Sequence, residues 1–92
     1  MVTVKSIDIN QVTVILKNLI EKRMSREKAA SWAFELREAA DKNCLKYIPI
    51  ESKELLWQSI LFLEGIDLQD SPGCYLHNED DILIFLHKLK CA

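Results

Sequence analysis

The sequence predicts an all-α fold: one domain over residues 1–92, built as a compact four-helix bundle. Three observations predict it. Four segments carry the three- and four-residue apolar period of a helix and are separated by short breaks. Only 2 Gly and 2 Pro occur in 92 residues, which argues against a turn-rich sandwich. No alternating pattern stands out beyond Val2-Thr3-Val4 at the start. A chain this short holds one core and has little bulk left to enclose a large active-site cavity.

The first helix is expected over residues 8–23, with Ile9, Val12, Ile15, Leu16, Leu19 and Ile20 on its apolar face. Asp8 and Gln11 have the spacing of a capping box, in which each side chain serves an orphan amide of the other residue. The second helix is expected over 26–43, with Ser25 as N-cap and Glu27 in the first turn. Ala29, Trp32, Ala33, Leu36, Ala39 and Ala40 form its stripe, and the small alanines let a neighbouring helix approach closely. Glu35 and Glu38 face solvent in this register.

A connection follows to Ile50. Pro49 pushes Ile48 to an extended conformation, and Tyr47, Ile48 and Ile50 are expected to tuck against the core. The third helix is expected over 51–64, with Leu55, Leu56, Ile60 and Leu63 on one stripe. Trp57, Leu61 and Phe62 widen it, and Gly65 supplies a left-handed stop. A longer connection contains the turn signal Ser71-Pro72-Gly73. The fourth helix is expected over 79–90. Asn78 caps it, Glu79, Asp80 and Asp81 oppose the positive end of the dipole, and Lys88 and Lys90 sit at the negative end.

The formal charge of −2 conceals an asymmetry. Up to Lys46 there are nine basic and six acidic residues, a net of +3; from Tyr47 on there are three and eight, a net of −5. Between Glu64 and Asp81 lie six carboxylates (Glu64, Asp67, Asp70, Glu79, Asp80, Asp81) and no Lys or Arg. Helix capping accounts for the last three. It does not account for Glu64, Asp67 and Asp70, which lie at or beyond a helix C-terminus, where the dipole disfavours an acid at Glu64. Such a patch, with Tyr75 as an anchoring ring, fits a basic protein partner steered by charge. A net-negative chain is a poor match to the phosphate neutralisation that nucleic-acid binding requires. The basic residues Lys17, Lys22, Arg23, Arg26 and Lys28 do cluster locally, but Glu21 and Glu27 interrupt them, so they read first as a solvated helix–helix turn.

Little else carries chemistry. Cys74, His77, His87 and Cys91 are the right types for zinc, but a helix beginning after His77 puts His87 roughly 13 Å further along its axis, too far for one ion at about 2 Å from each ligand. Two glycines cannot build a phosphate loop, and the Asp67–Gly73 stretch lacks the ligand spacing of an EF-hand. No catalytic residue, metal or cofactor is therefore expected, and the protein is read as non-enzymatic. The odd count of three cysteines, the absence of a basic-then-apolar start and the lack of a long apolar run suggest a cytoplasmic protein that does not enter a membrane.

In size, helical reading and acidic third-to-fourth-helix region, with the segment Leu68-Gln69-Asp70-Ser71-Pro72-Gly73-Cys74-Tyr75, the chain resembles bacterial toxin-immunity proteins of the colicin and contact-dependent-inhibition type. The resemblance implies an inhibitor that binds a secreted nuclease toxin through Glu64, Asp67, Asp70, Tyr75, Glu79, Asp80 and Asp81, without touching nucleic acid itself. The alternative is a small helical adaptor that docks a protein partner through an apolar aromatic face of Trp32, Trp57 and Phe62.

Overall fold

A computed structural model describes residues 4–71, 74–75 and 78–90, with side chains described outside residues 70–77. The helices are α1 (Ile9–Ile20), α2 (Arg26–Asp41), α3 (Lys53–Glu64) and α4 (Glu79–Lys90). Two strands, β1 (Lys5–Asp8) and β2 (Leu45–Ile48), pair in parallel, Lys5 opposite Leu45 through Asp8 opposite Ile48. A short antiparallel ribbon joins β3 (Gln69–Ser71) to β4 (Cys74–Tyr75). The fold is thus mixed α and β, which corrects the expected all-α four-helix bundle. Strands of four residues are too short to carry a readable period, and a parallel pair forms only when a crossover brings distant segments together. Here α1 and α2 are that crossover.

Asp8 explains how β1 runs directly into α1. Its backbone is extended, so it can end the strand, and its side chain caps the helix. The Gln11 amide donates to Asp8 Oδ1 at 2.7 Å, and the Asp8 amide donates to Gln11 Oε1 at 3.1 Å. Ser25 Oγ accepts from the Lys28 amide at 3.1 Å to start α2. At α4, Asn78 Oδ1 accepts from the Asp81 amide and Asp81 Oδ2 from the Asn78 amide.

Helices α1 and α2 end earlier than the expected bounds at residues 23 and 43, and both end in the same way. The Arg23 amide donates to the Asn18 carbonyl and the Lys22 amide to that of Leu19, with Lys22 at φ 59°. The Cys44 amide donates to the Ala39 carbonyl and the Asn43 amide to that of Ala40, with Asn43 at φ 57°. These are Schellman endings, in which a left-handed residue satisfies the last carbonyls. Gly65, expected to be left-handed, has φ −97° and is not. A Cβ there would meet Leu68 Cδ1 at 3.4 Å, an ordinary contact.

The core gathers Val12 and Leu16 of α1, the alanines 29, 30 and 33 of α2, Leu56, Ile60 and Leu63 of α3, and Ile82 and Leu89 of α4. Ile7 of β1 and Ile66 after α3 are also fully buried, although neither belongs to a helical stripe. Phe62 stacks on Phe85 with ring centroids 4.7 Å apart. Ile48, expected against the core, is exposed at 44% because β2 directs its alternate residues Leu45 and Tyr47 inward instead; Ile50, also expected there, lies beyond β2 in the turn after Pro49 and is exposed at 63%. No helix among the described residues is long and apolar enough to cross a membrane.

Candidate nucleic-acid interface

The corner between α1 and α2 collects cations because the chain turns there with few residues to spare. Lys17 lies in the last turn of α1, Lys22 and Arg23 in the turn, and Lys28 in the first turn of α2, all exposed. Lys22 Nζ stands 4.0 Å from Glu79 Oε1, and Arg23 Nε 3.4 Å from Glu21 Oε2. Both pairs are exposed, and pairs of this kind contribute little net energy, so a phosphate can take their place. Arg26 has a structural role: its Nη1 donates to the Ile66 carbonyl at 2.9 Å and ties the start of α2 to the end of α3.

Lys22 stands out on its own backbone. A left-handed residue at a Schellman ending is usually Gly, and a side chain there costs roughly 1 kcal/mol or more. The outward face of α1 leads to this corner through Asn10, Val14 and Lys17, and no carboxylate occurs between Ile9 and Ile20. The other three helices all carry acids. A shallow cleft of about 420 Å³ at the corner is lined by three cations, Lys22, Arg23 and Arg26, and by two carboxylates, Glu27 and Glu79.

A second cleft, of about 520 Å³, opens at the far end of α2, between its C-terminal turn, β2 and the start of α3. Its lining includes Val4, Asn43, Lys46, Tyr47, Ile50 and Lys53, and no carboxylate. Lys53 Nζ lies 5.6 Å from the centroid of the Tyr47 ring. Burial of the ring pushes the Tyr47 phenol above its ordinary pKa.

Of the acidic residues singled out from the sequence, Glu64, Glu79 and Asp81 have partners within the fold. Glu64 Oε1 accepts from Arg37 Nη1 at 2.6 Å, so its charge is matched across α2 and α3. This hydrogen bond, and then the carboxylate charge, raise the Arg37 pKa. The second Glu64 oxygen, Oε2, is buried and accepts no hydrogen bond among the described residues. Asp67 is half-buried in the turn after α3. Glu79 faces Lys22, Asp81 caps α4 with Asn78, and Asp80 is exposed beside them. Asp70 lies in β3 and Tyr75 in β4, opposite Gln69, with side chains outside the described set.

Trp32, Trp57 and Phe62 pack against the core instead of forming an open aromatic face, so the adaptor alternative loses its surface. His87 is exposed on α4, and the side chains of Cys74, His77 and Cys91 lie outside the described residues. Among the described residues no group of three His, Cys, Asp or Glu is placed to hold a metal. The feature that the sequence reading undervalued is the α1–α2 corner. Its signal in the sequence is the run of cations from Lys17 to Lys28, which Glu21 and Glu27 interrupt.

Fold and site together define a small helix-rich α+β protein with a parallel strand pair and a basic corner between its first two helices. The chain belongs to the YxzC DNA-binding protein family, whose model matches residues 3–88. It is similar to the uncharacterized protein YxzC of Bacillus subtilis (strain 168), with 30% identity over 83 residues, 88% of this chain and 62% of that protein. The chain therefore spans about three fifths of the relative's length. No solved structure matches it. These findings correct the resemblance to toxin-immunity proteins: the matching family is described as DNA-binding, not toxin-inhibiting. The expected basic partner, a toxin nuclease, and the expected lack of direct nucleic-acid contact conflict with that family.

Proposed function

We propose that this chain is a non-enzymatic DNA-binding protein that grips the phosphate backbone at the α1–α2 corner. The observation that carries the reading is membership, over residues 3–88, of a family described as DNA-binding. The corner supports it with four exposed cations, Lys17, Lys22, Arg23 and Lys28. Lys22 adds a further argument: the chain keeps a cation where the backbone favours Gly, and strain of this kind collects at working positions. The outward face of α1 offers Asn10 and Val14 to base edges, the amide for hydrogen bonds and the methyls for thymine. The outward face of α2 is a poorer reading surface, because Glu27, Glu35, Glu38 and Asp41 line it. The reading implies the cytoplasm, where the DNA of a bacterium lies, and a binding role with no bond-making step.

Four phosphate contacts give a slope of log K against log salt of about −3.6, or roughly a hundred-fold loss of affinity between about 50 and 200 mM salt. Fluorescence anisotropy with a short labelled duplex measures this. Lys22→Glu with Arg23→Glu is expected to weaken binding uniformly across sequences and to flatten the slope by about one for each contact removed. Absence of duplex binding at low salt, or binding indifferent to both substitutions, overturns the proposal.

A further inference from the structure

We propose that the cleft beside β2 is a second nucleic-acid site, which takes an unpaired DNA strand by stacking a base on Tyr47 and holding the adjoining phosphates with Lys46 and Lys53. The inference rests on the DNA-binding reading but concerns a different surface and a different form of DNA. Helix α2 has 16 residues, so its two ends are about 24 Å apart. Between them its outward face carries Glu27, Glu35, Glu38 and Asp41, so the corner and the cleft are not one continuous basic surface.

Charge, shape and chemistry in the cleft agree on this occupant. Two lysines and no carboxylate line it, so it favours an anion. Its volume of about 520 Å³ is open to solvent at the exposed side chains of Val4 and Ile50, which offer apolar walls to a base. Tyr47 packs against the core, is half-buried and is one of the residues lining the cleft, so its position is fixed before a base arrives. Lys53 covers the ring in a cation–π contact. Its exposed, flexible stem allows it to swing from the ring to a phosphate when a base takes its place. Ring, paired cations and apolar walls are the parts used by sites for single strands, where bases stack on aromatic side chains along a positive groove. A duplex keeps its bases stacked on one another and cannot offer a free face to a ring at the bottom of a cleft.

The test measures binding of an oligothymidylate and of a short duplex to the same folded protein at low salt. The oligothymidylate is expected to bind. Tyr47→Leu and Lys46→Glu are each expected to weaken it about ten-fold, the loss of one stacked base or one close phosphate. Tyr47→Phe keeps the ring and is expected to keep the affinity. Duplex affinity is expected to be unchanged in all three variants. Lys46 is exposed on β2, so Lys46→Glu decides the matter if Tyr47→Leu fails to fold. A protein that binds the duplex but not the oligothymidylate overturns this inference alone. So does one whose oligothymidylate affinity is indifferent to Tyr47→Leu and Lys46→Glu. A protein that binds neither overturns the DNA-binding reading as well.

Discussion

Lys22 and Tyr47 are the residues where local physics and function meet. At φ 59° Lys22 occupies a backbone region that a glycine enters freely. Lys22→Gly is therefore expected to stabilise the fold by about 1 kcal/mol while weakening duplex binding. A thermal or urea midpoint, read alongside anisotropy, separates the two effects; a variant that loses both stability and binding contradicts the assignment of strain. Tyr47 predicts an alkaline limit. Burial raises its folded pKa above the unfolded value of about 10. A group with a raised folded pKa holds more protons in the native state, so its contribution is intact below the unfolded value and is lost as pH rises through the folded one. Stability is expected to hold across neutral pH and to decline above about pH 10, less steeply in Tyr47→Phe, as urea midpoints against pH would show. Of these two residues, Lys22 was visible in the sequence only as one member of a cation run. Its left-handed backbone follows from where α1 stops, and that depends on the Schellman hydrogen bonds.

Three of the four helix starts were legible because capping is a local code; α3, expected from residue 51, begins at Lys53 without a side-chain cap. Asp8 with Gln11, Ser25 and Asn78 each announce a helix within four residues, and each makes the expected hydrogen bond. Asp8→Ala is expected to cost about 1 kcal/mol by removing an N-cap, a loss a urea titration resolves. The strands were not legible for the opposite reason. Leu45–Ile48 has no alternation long enough to read, and its extension depends on β1 lying alongside it, some forty residues earlier in the chain. Helix ends were half legible. The expected bounds of α1 and α2 ran three and two residues past the helices' true ends, because the left-handed turns at Lys22 and Asn43 leave no periodic trace.

Across the whole molecule, the core shows what the strand pair contributes. Ile7 is fully buried between the sheet and the helices although it stands in no helical stripe. Ile7→Ala is expected to destabilise the protein by about 3 kcal/mol, the cost of a cavity in a close-packed core, and a urea midpoint would show it. In a bundle of helices alone, with the first seven residues outside the core, the same change would cost almost nothing. Charge is likewise a property of the whole molecule. A net −2 does not prevent binding to a polyanion when the charges are segregated, with exposed cations gathered at the first helix corner and acids on the outward face of α2. The sequence by itself determined the four helices, the N-caps of α1, α2 and α4, and the uneven charge, because these depend on residues near one another in the chain. Only the tertiary structure decided that β1 and β2 pair, that Glu64 meets Arg37 and Glu79 meets Lys22, and that Tyr47, Lys46 and Lys53 line one cleft. Each of these joins residues whose proximity depends on how the helices pack, and no local pattern records it.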